Sequence, residues 1–179
     1  MEIPDHDAEV QIGKYKVINF QTKTAASQLR KSIIPSNFHS SPADHPDVIG
    51  VGSTTIDDTL SSFSSVGPTV NSTMKPDISA PGSSVRSAYN GGPASYATLS
   101  GTSMACPHVA GVVAILLSQK PDLTPEEVKH FISAGADQET LVPTGNNCGG
   151  IPEDTFPNHA FGIGRANANK ALTTLLAKN

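Results

Sequence analysis

Between Gly101 and Ser118 the chain reads GTSMACPHVAGVVAILLS, without one Asp, Glu, Lys or Arg. A helix drawn through such a run has no polar face, so other parts of the fold must enclose it. The longest strictly apolar piece, Val109 to Leu117, is interrupted by Gly111. It falls well short of the ~20 residues that a membrane-spanning helix needs. The chain is therefore expected to carry a buried core helix over Ser103–Ser118 and to make no use of a membrane.

The segments around it show what encloses the helix. Val48-Ile49-Gly50-Val51-Gly52 is a short apolar run after Pro46 and reads as a buried strand. Ser61 to Pro68 is a Ser/Gly-rich loop, and Lys75 to Gly82 a strand end closed by the turn pair Pro81-Gly82. Val85–Tyr89 and Ser95–Leu99 are two further short strands. After Pro121, Thr124-Pro125-Glu126-Glu127 opens a helix with Thr124 as N-cap, Pro125 in the first position and Glu127 closing a capping box. That helix runs to about Ala134, and Gly135 ends it. Gly145 to Pro157 is a long irregular loop, and a last helix spans about Asn167–Ala177. Strands alternating with helices predict an α/β layered fold with a mostly parallel sheet. Met1 to about Asn37 stands apart: Tyr15–Phe20 suits a strand and Thr24–Ile34 a short helix ended by Pro35, but no chemical motif is present. It reads as an edge element or a frayed terminus.

The start of the apolar helix carries the chemistry. A hydroxyl, Ser103, stands between the glycine turn at Gly101 and the helix, where unpaired N–H groups and positive potential collect. Its own N–H would face a developing oxyanion, and Gly101 would let a substrate backbone come close. Pro107 removes the bond to the Ser103 carbonyl and loosens the first turn. The same pattern also suits a plain N-cap at Thr102 or Ser103, and spacing alone does not decide between the two.

The motif goes further than spacing. Gly101-Thr102-Ser103-Met104-Ala105-Cys106-Pro107-His108 resembles the serine motif of the subtilisin-like serine proteases at every fixed position. Phe63 to Pro68, Lys75 to Gly82, Val48 to Gly52 and Gly162 to Ala171 are similar to four further segments of that family, in the family's order. The resemblance covers Pro42 to Leu176. It implies a subtilisin-like fold over residues 38–179, of which this would be the C-terminal part, with residues 1–37 divergent. It implies serine endopeptidase chemistry on peptide or protein substrates, with Ser103 as nucleophile and oxyanion donor and Gly101, Thr102, Pro107 and His108 as its structural frame.

The family also uses an aspartate before Thr-Gly or Ser-Gly and a histidine before Gly-Thr, both upstream. Neither is here: His6, His39, His45, His108, His130 and His159 precede Asp, Ser, Pro, Val, Phe and Ala. A serine without a base is a poor nucleophile. The expectation is a partial catalytic domain, inactive alone, whose partner is the missing N-terminal half; the alternative is an inactive remnant or interaction module. Loss of the preceding strands would leave an open sheet edge and an uncovered apolar face, favouring self-association. His108, five residues and about 500° of helical rotation beyond Ser103, is expected on another face, buried and structural. His39 and His45 read as surface residues, and Asn37 lacks the context of the family's oxyanion asparagine.

Little else competes. The loop with Ala43, His45 and Val48 matches one whose backbone carbonyls hold a weak cation in some relatives, but its side chains add nothing, and no cofactor is expected. Asp57-Asp58 and Glu126-Glu127 are a solvated loop and a helix start. Gly162-Ile163-Gly164 lacks the third glycine of a dinucleotide fingerprint. Two cysteines make no disulfide framework, so Cys106 and Cys148 read as free thiols or as partners for cysteines outside this chain, with Cys106 packing as a small apolar residue. Net charge is −4, without the basic stripe of a nucleic-acid binder. The acidic start, MEIPDHDAEV, is not a secretory signal, and the compartment stays open.

Overall fold

The computed structural model describes residues 9–12, 15–19, 43–69 and 71–178. The helix expected over Thr24–Ile34, and the positions of His6, Asn37 and His39, lie outside the described residues.

A four-stranded sheet carries the fold. Its strands are β1 (Glu9–Ile12), β2 (Tyr15–Asn19), β3 (Ile49–Thr54) and β4 (Ile78–Pro81), in that spatial order. β1 and β2 form an antiparallel hairpin, and β2, β3 and β4 run parallel. The strand expected at Val48–Gly52 is thus β3, interior and buried at all six positions. Two small antiparallel hairpins stand outside the sheet: β5 (Val85–Ala88) with β6 (Tyr96–Leu99), and β7 (Asn147–Cys148) with β8 (Ile151–Pro152). The last of these lies within the loop read as irregular.

The apolar run forms α1 (Thr102–Gln119), unbroken by Pro107. With 18 residues it is about 27 Å long. By length and composition alone it could cross a membrane, but it lies across all four strands of the sheet and against both other helices. Its buried residues include Ala105, Cys106, Val109, Val112, Val113 and Leu116. Those side chains meet Val17, Ile49, Val51, Ile78 and Ala80 of the sheet in one core. α2 (Pro125–Ala134) and α3 (Ala168–Leu176) close that core with Val128, Phe131, Ile132, Ala171 and Leu175. The capping box at Thr124 and Glu127 is formed, Gly135 is the C-cap, and Asn167 caps α3 by accepting from Lys170 N–H. One face of α1 stays uncovered: Pro107, Gly111, Ala114 and Ile115 are exposed.

The sheet edge expected to be open is not. The N-terminal hairpin pairs with β3 through β2, and Val17 is fully buried. Sequence reasoning missed this because nothing in Tyr15–Phe20 announces which distant strand it will meet.

An ion-pair network centred on the buried Asp137 ties the C-terminal segment to the core. Asp137 and Arg165 exchange two backbone hydrogen bonds of 2.8 Å. The Asp137 carboxylate also accepts from Lys170 Nζ at 2.6 Å and Asn167 Nδ2 at 2.9 Å, while Arg165 pairs with Asp58 as well. Burial pushes the Asp137 carboxyl up, but the bonds and charge of Lys170, with Asn167 and Arg165, outweigh it and hold the acid below its usual range. A depressed folded-state pKa adds stability that is present above the unfolded value, about 3.9, and is lost as pH falls through the lower folded value. Asp137→Asn is therefore expected to cost about 1–3 kcal/mol in denaturant unfolding at pH 7. The difference from the parent should shrink as pH falls below the unfolded value and through the lower folded value of Asp137.

Candidate active site

Three backbone segments meet where α1 begins. Gly82 N–H donates to Thr54 O at 3.0 Å, and Gly101 N–H donates to Gly82 O at 2.8 Å. The C-terminal ends of β3 and β4 are thus spliced to the entry of α1, and Ser103 lies in its first turn. A parallel sheet presents its ligand sites at this end. The approach is close: a Cβ on Gly82 would fall 2.6 Å from Gly101 O and overlap Ser53 Oγ.

The N-cap of α1 is Gly101, and no side chain caps the helix. Thr102 is buried and Ser103 is partly exposed, so neither is the plain capping residue that spacing alone allowed. A Cβ on Gly101 would lie 3.6 Å from Ser103 N and 3.9 Å from Ser103 Cβ. Those are ordinary contacts, so the glycine is not demanded by strain; it keeps the approach to Ser103 clear. Pro107 is exposed at the same helix end.

Ser103 opens onto a cleft of about 410 Å³, walled by α1 at Met104, Pro107 and His108 and by the β5–β6 hairpin at Arg86, Tyr89 and Leu99. Sequence reasoning found the two strands of that hairpin but not the wall they build. Its stiffening contact, Arg86 stacked 4.1 Å from the centre of the Tyr96 ring, is a diagonal cross-strand pair, so a two-residue offset across the hairpin was the available signal.

His108 corrects the sequence reading. It is exposed, not buried, and shares the cleft with Ser103. Helical side chains lean toward the N-terminus, which brings the ring back over the preceding turn. There its Nδ1 bonds Met104 O at 2.8 Å. A carbonyl can only accept, so Nδ1 carries the hydrogen and Nε2 keeps the lone pair in the neutral ring.

The other described histidines lie elsewhere. His45 is exposed in the turn before β3, its Nδ1 accepting from Asp47 N–H at 3.2 Å. The length of β3, at ~3.3 Å per residue, puts it ~20 Å from the Ser103 end of the sheet. His130 on α2 accepts from Lys178 Nζ at 2.7 Å. His159 is buried, and that burial pushes its imidazole below the usual range against the opposing Lys75 carbonyl. No carboxylate lines the cleft among the described residues.

In the loop of Ala43, His45 and Val48, two backbone carbonyls accept from lysine ammonium groups. Val48 O accepts from Lys75 Nζ at 3.0 Å, and Pro46 O accepts from Lys129 Nζ at 2.6 Å. Lys75 is only 1% exposed, and Asp77 pairs with its ammonium. Sequence reasoning took Lys75 as part of a strand motif and missed its buried charge. Among the described residues no three His, Cys, Asp or Glu side chains gather to hold a metal. Cys106 is buried and Cys148 partly buried, and no disulfide joins them.

Comparison with known proteins agrees with this geometry. The CspB protease of Clostridium perfringens superimposes with a TM-score of 0.64 and 29% identity, over 78% of this chain and 29% of that one. The prenylagaramide maturation protease PagA superimposes with a TM-score of 0.58 and 31% identity, over 77% of this chain and 46% of that one. The sequence profile of the subtilase family matches residues 35–164, so the chain belongs to that family. Serine protease AprX of Bacillus subtilis is 39% identical over 128 residues, 65% of this chain and 26% of its own length. Alkaline serine exoprotease A of Vibrio alginolyticus is 44% identical over 105 residues, 58% of this chain and 18% of its own. The chain thus spans about a quarter or less of these two curated relatives.

The splice at Gly82 yields a direct expectation. Gly82→Ala forces the backbone at the head of α1 apart and should destabilise by about 1–3 kcal/mol in chemical unfolding. Gly111→Ala, at a helical position with nothing within 4 Å of the new Cβ, should stabilise by about 0.5–1 kcal/mol in the same assay.

Proposed function

We propose that residues 38–179 carry the acylating part of a subtilase catalytic domain, and that the base and its orienting acid come from residues outside this sequence. The observation that carries this reading is the placement of Ser103. Its hydroxyl is in the first turn of a helix whose N-terminus no side chain caps, and it opens onto a cleft at the C-terminal end of a parallel sheet. Ser103 Oγ bonds the carbonyl carbon of a peptide, its proton passing to the base. The C–N bond then breaks, the amine leaves with that proton, and water hydrolyses the acyl-enzyme. The helix N-terminus and the Ser103 N–H favour the negative charge that builds on the carbonyl oxygen. Gly101, Thr102 and Pro107 hold the serine in place.

The same reading makes the chain inactive by itself. His45 and His130 are far off or engaged, and His159 is buried. His108 is the one described histidine in the cleft. No carboxylate stands there to orient it, and the Met104 carbonyl holds its ring against the helix. Nor is a metal invoked. Near Ala43, His45 and Val48, lysine ammonium groups already take the carbonyls of Val48 and Pro46. Peptide or protein is the substrate, and nucleic acid and membrane have no part in it.

Labelling by a fluorophosphonate probe and peptide turnover test the proposal. The 179-residue chain alone is expected to show neither. Supplying an upstream subtilase half that bears the Asp and His motifs should produce both, and Ser103→Ala should abolish them while His108→Ala leaves them within a few fold. Turnover by the lone chain that disappears in His108→Ala would overturn the claim that the base lies outside this sequence.

A further inference from the structure

The sheet begins outside the part of the chain that the subtilase profile matches. β1 and β2 precede residue 35, where that match starts. Yet β2 runs parallel to β3, with Val17 opposite Ile49, Ile18 opposite Gly50 and Asn19 opposite Val51. Val17 is 0% exposed in the main core, and its carbonyl accepts from Cys106 Sγ at 3.3 Å. α1 packs on β1 and β2 as it does on β3 and β4.

β3 explains why this matters. A strand buried at every position needs a neighbour on each side, because buried N–H and C=O groups left unpaired are costly. β4 supplies one neighbour and β2 the other. In a longer subtilase the same edge of β3 has to be paired by a strand from that protein's own upstream sequence. Two strands cannot hold one edge.

We propose that the hairpin Glu9–Asn19 is an internal cap on the sheet: it occupies the edge of β3 that an upstream catalytic half has to use, so association with that half requires its displacement. The proposal rests on the reading that such a half completes the site. The cap has two opposed effects. It shields β3 from edge-to-edge pairing between copies of the chain. It also lowers the apparent affinity for the completing half by the fraction of molecules in which the edge is open.

Two residues make this measurable. Cys106 lies beneath β2, so its thiol reports the seat of the hairpin once Cys148 is replaced by serine. In Cys148→Ser, a maleimide should label Cys106 at least about ten-fold more slowly than in the denatured chain. Adding Val17→Asp should remove most of that protection while the far-UV circular dichroism of α1, α2 and α3 persists. If Val17→Asp does not fold, Val17→Thr tests the same contact with little change in volume. Hydrogen exchange on the unaltered chain gives an independent reading: the amides of Ile49–Thr54 should be protected as an interior strand. An upstream half should bind the Val17 variant about ten-fold more tightly than the parent, and binding to the parent should release the amides of Glu9–Asn19. Unprotected β3 amides, equal affinity for parent and variant, or a bound complex with Glu9–Asn19 still protected would each overturn the cap. An upstream half that binds neither would instead sink the completed-site reading, leaving the thiol and exchange results to decide whether the hairpin caps the edge.

Discussion

The enclosure of α1 governs the rest of the structure. A helix of that length with no charged residue cannot turn a face to water without exposing apolar surface. Burying each of Val109, Val113 and Leu116 contributes about 1.5–3 kcal/mol, which sets the helix down across the sheet. Once it lies there, the position of its N-terminus follows. The backbone bonds from Thr54 to Gly82 and from Gly82 to Gly101 tie that end to the ends of β3 and β4. The backbone around Ser103 is consequently held by main-chain geometry on three segments. Reactive hydroxyls need such a placement, rigid behind and open in front.

The charged interior groups serve the same purpose at the other ends of the elements. Lys75 is nearly as buried as the aliphatic core, and its ammonium is tolerated because Val48 O and Asp77 take its hydrogen bonds. Asp77 also accepts from Gly50 N–H at 2.6 Å, so one carboxylate joins the start of β3 to the lysine before β4. Asp137 does the equivalent for the segment leading into α3. In both places an ion would be expensive alone and is tolerated because it is paired and hydrogen-bonded. These groups hold connections that the apolar core, which is largely non-directional, leaves loose.

The sheet has one structural oddity, and it bears on what the chain does. The part that matches the subtilase profile supplies β3, β4, α1 and α2, but the strand that completes the burial of β3 comes from outside that match. The serine end of α1 packs on the sheet beside the strand that pairs with β3, linked to it through Cys106 and Val17. The exposed stripe of Pro107, Gly111, Ala114 and Ile115 lies on that same helix, so the cleft and the uncovered apolar surface are adjacent.

Local chemistry made much of this legible beforehand. The capping box at Thr124 and Glu127, the end at Gly135, the buried run of β3, the two strands of the β5–β6 hairpin and the serine at the head of α1 all rest on neighbours a few residues apart. Tertiary structure alone decided the remainder. The Cys106–Val17 bond spans 89 residues and the Arg165–Asp58 pair 107. No periodicity encodes such pairings, because they depend on which finished surfaces meet. The exposure of His108 was decided in the same way. Its helical position was readable from spacing, but whether anything covers that side of α1 is a property of the assembled layers. The sequence thus determined which elements form and where a nucleophile could stand, while packing determined which edge is paired, which charges are buried and what surrounds the serine.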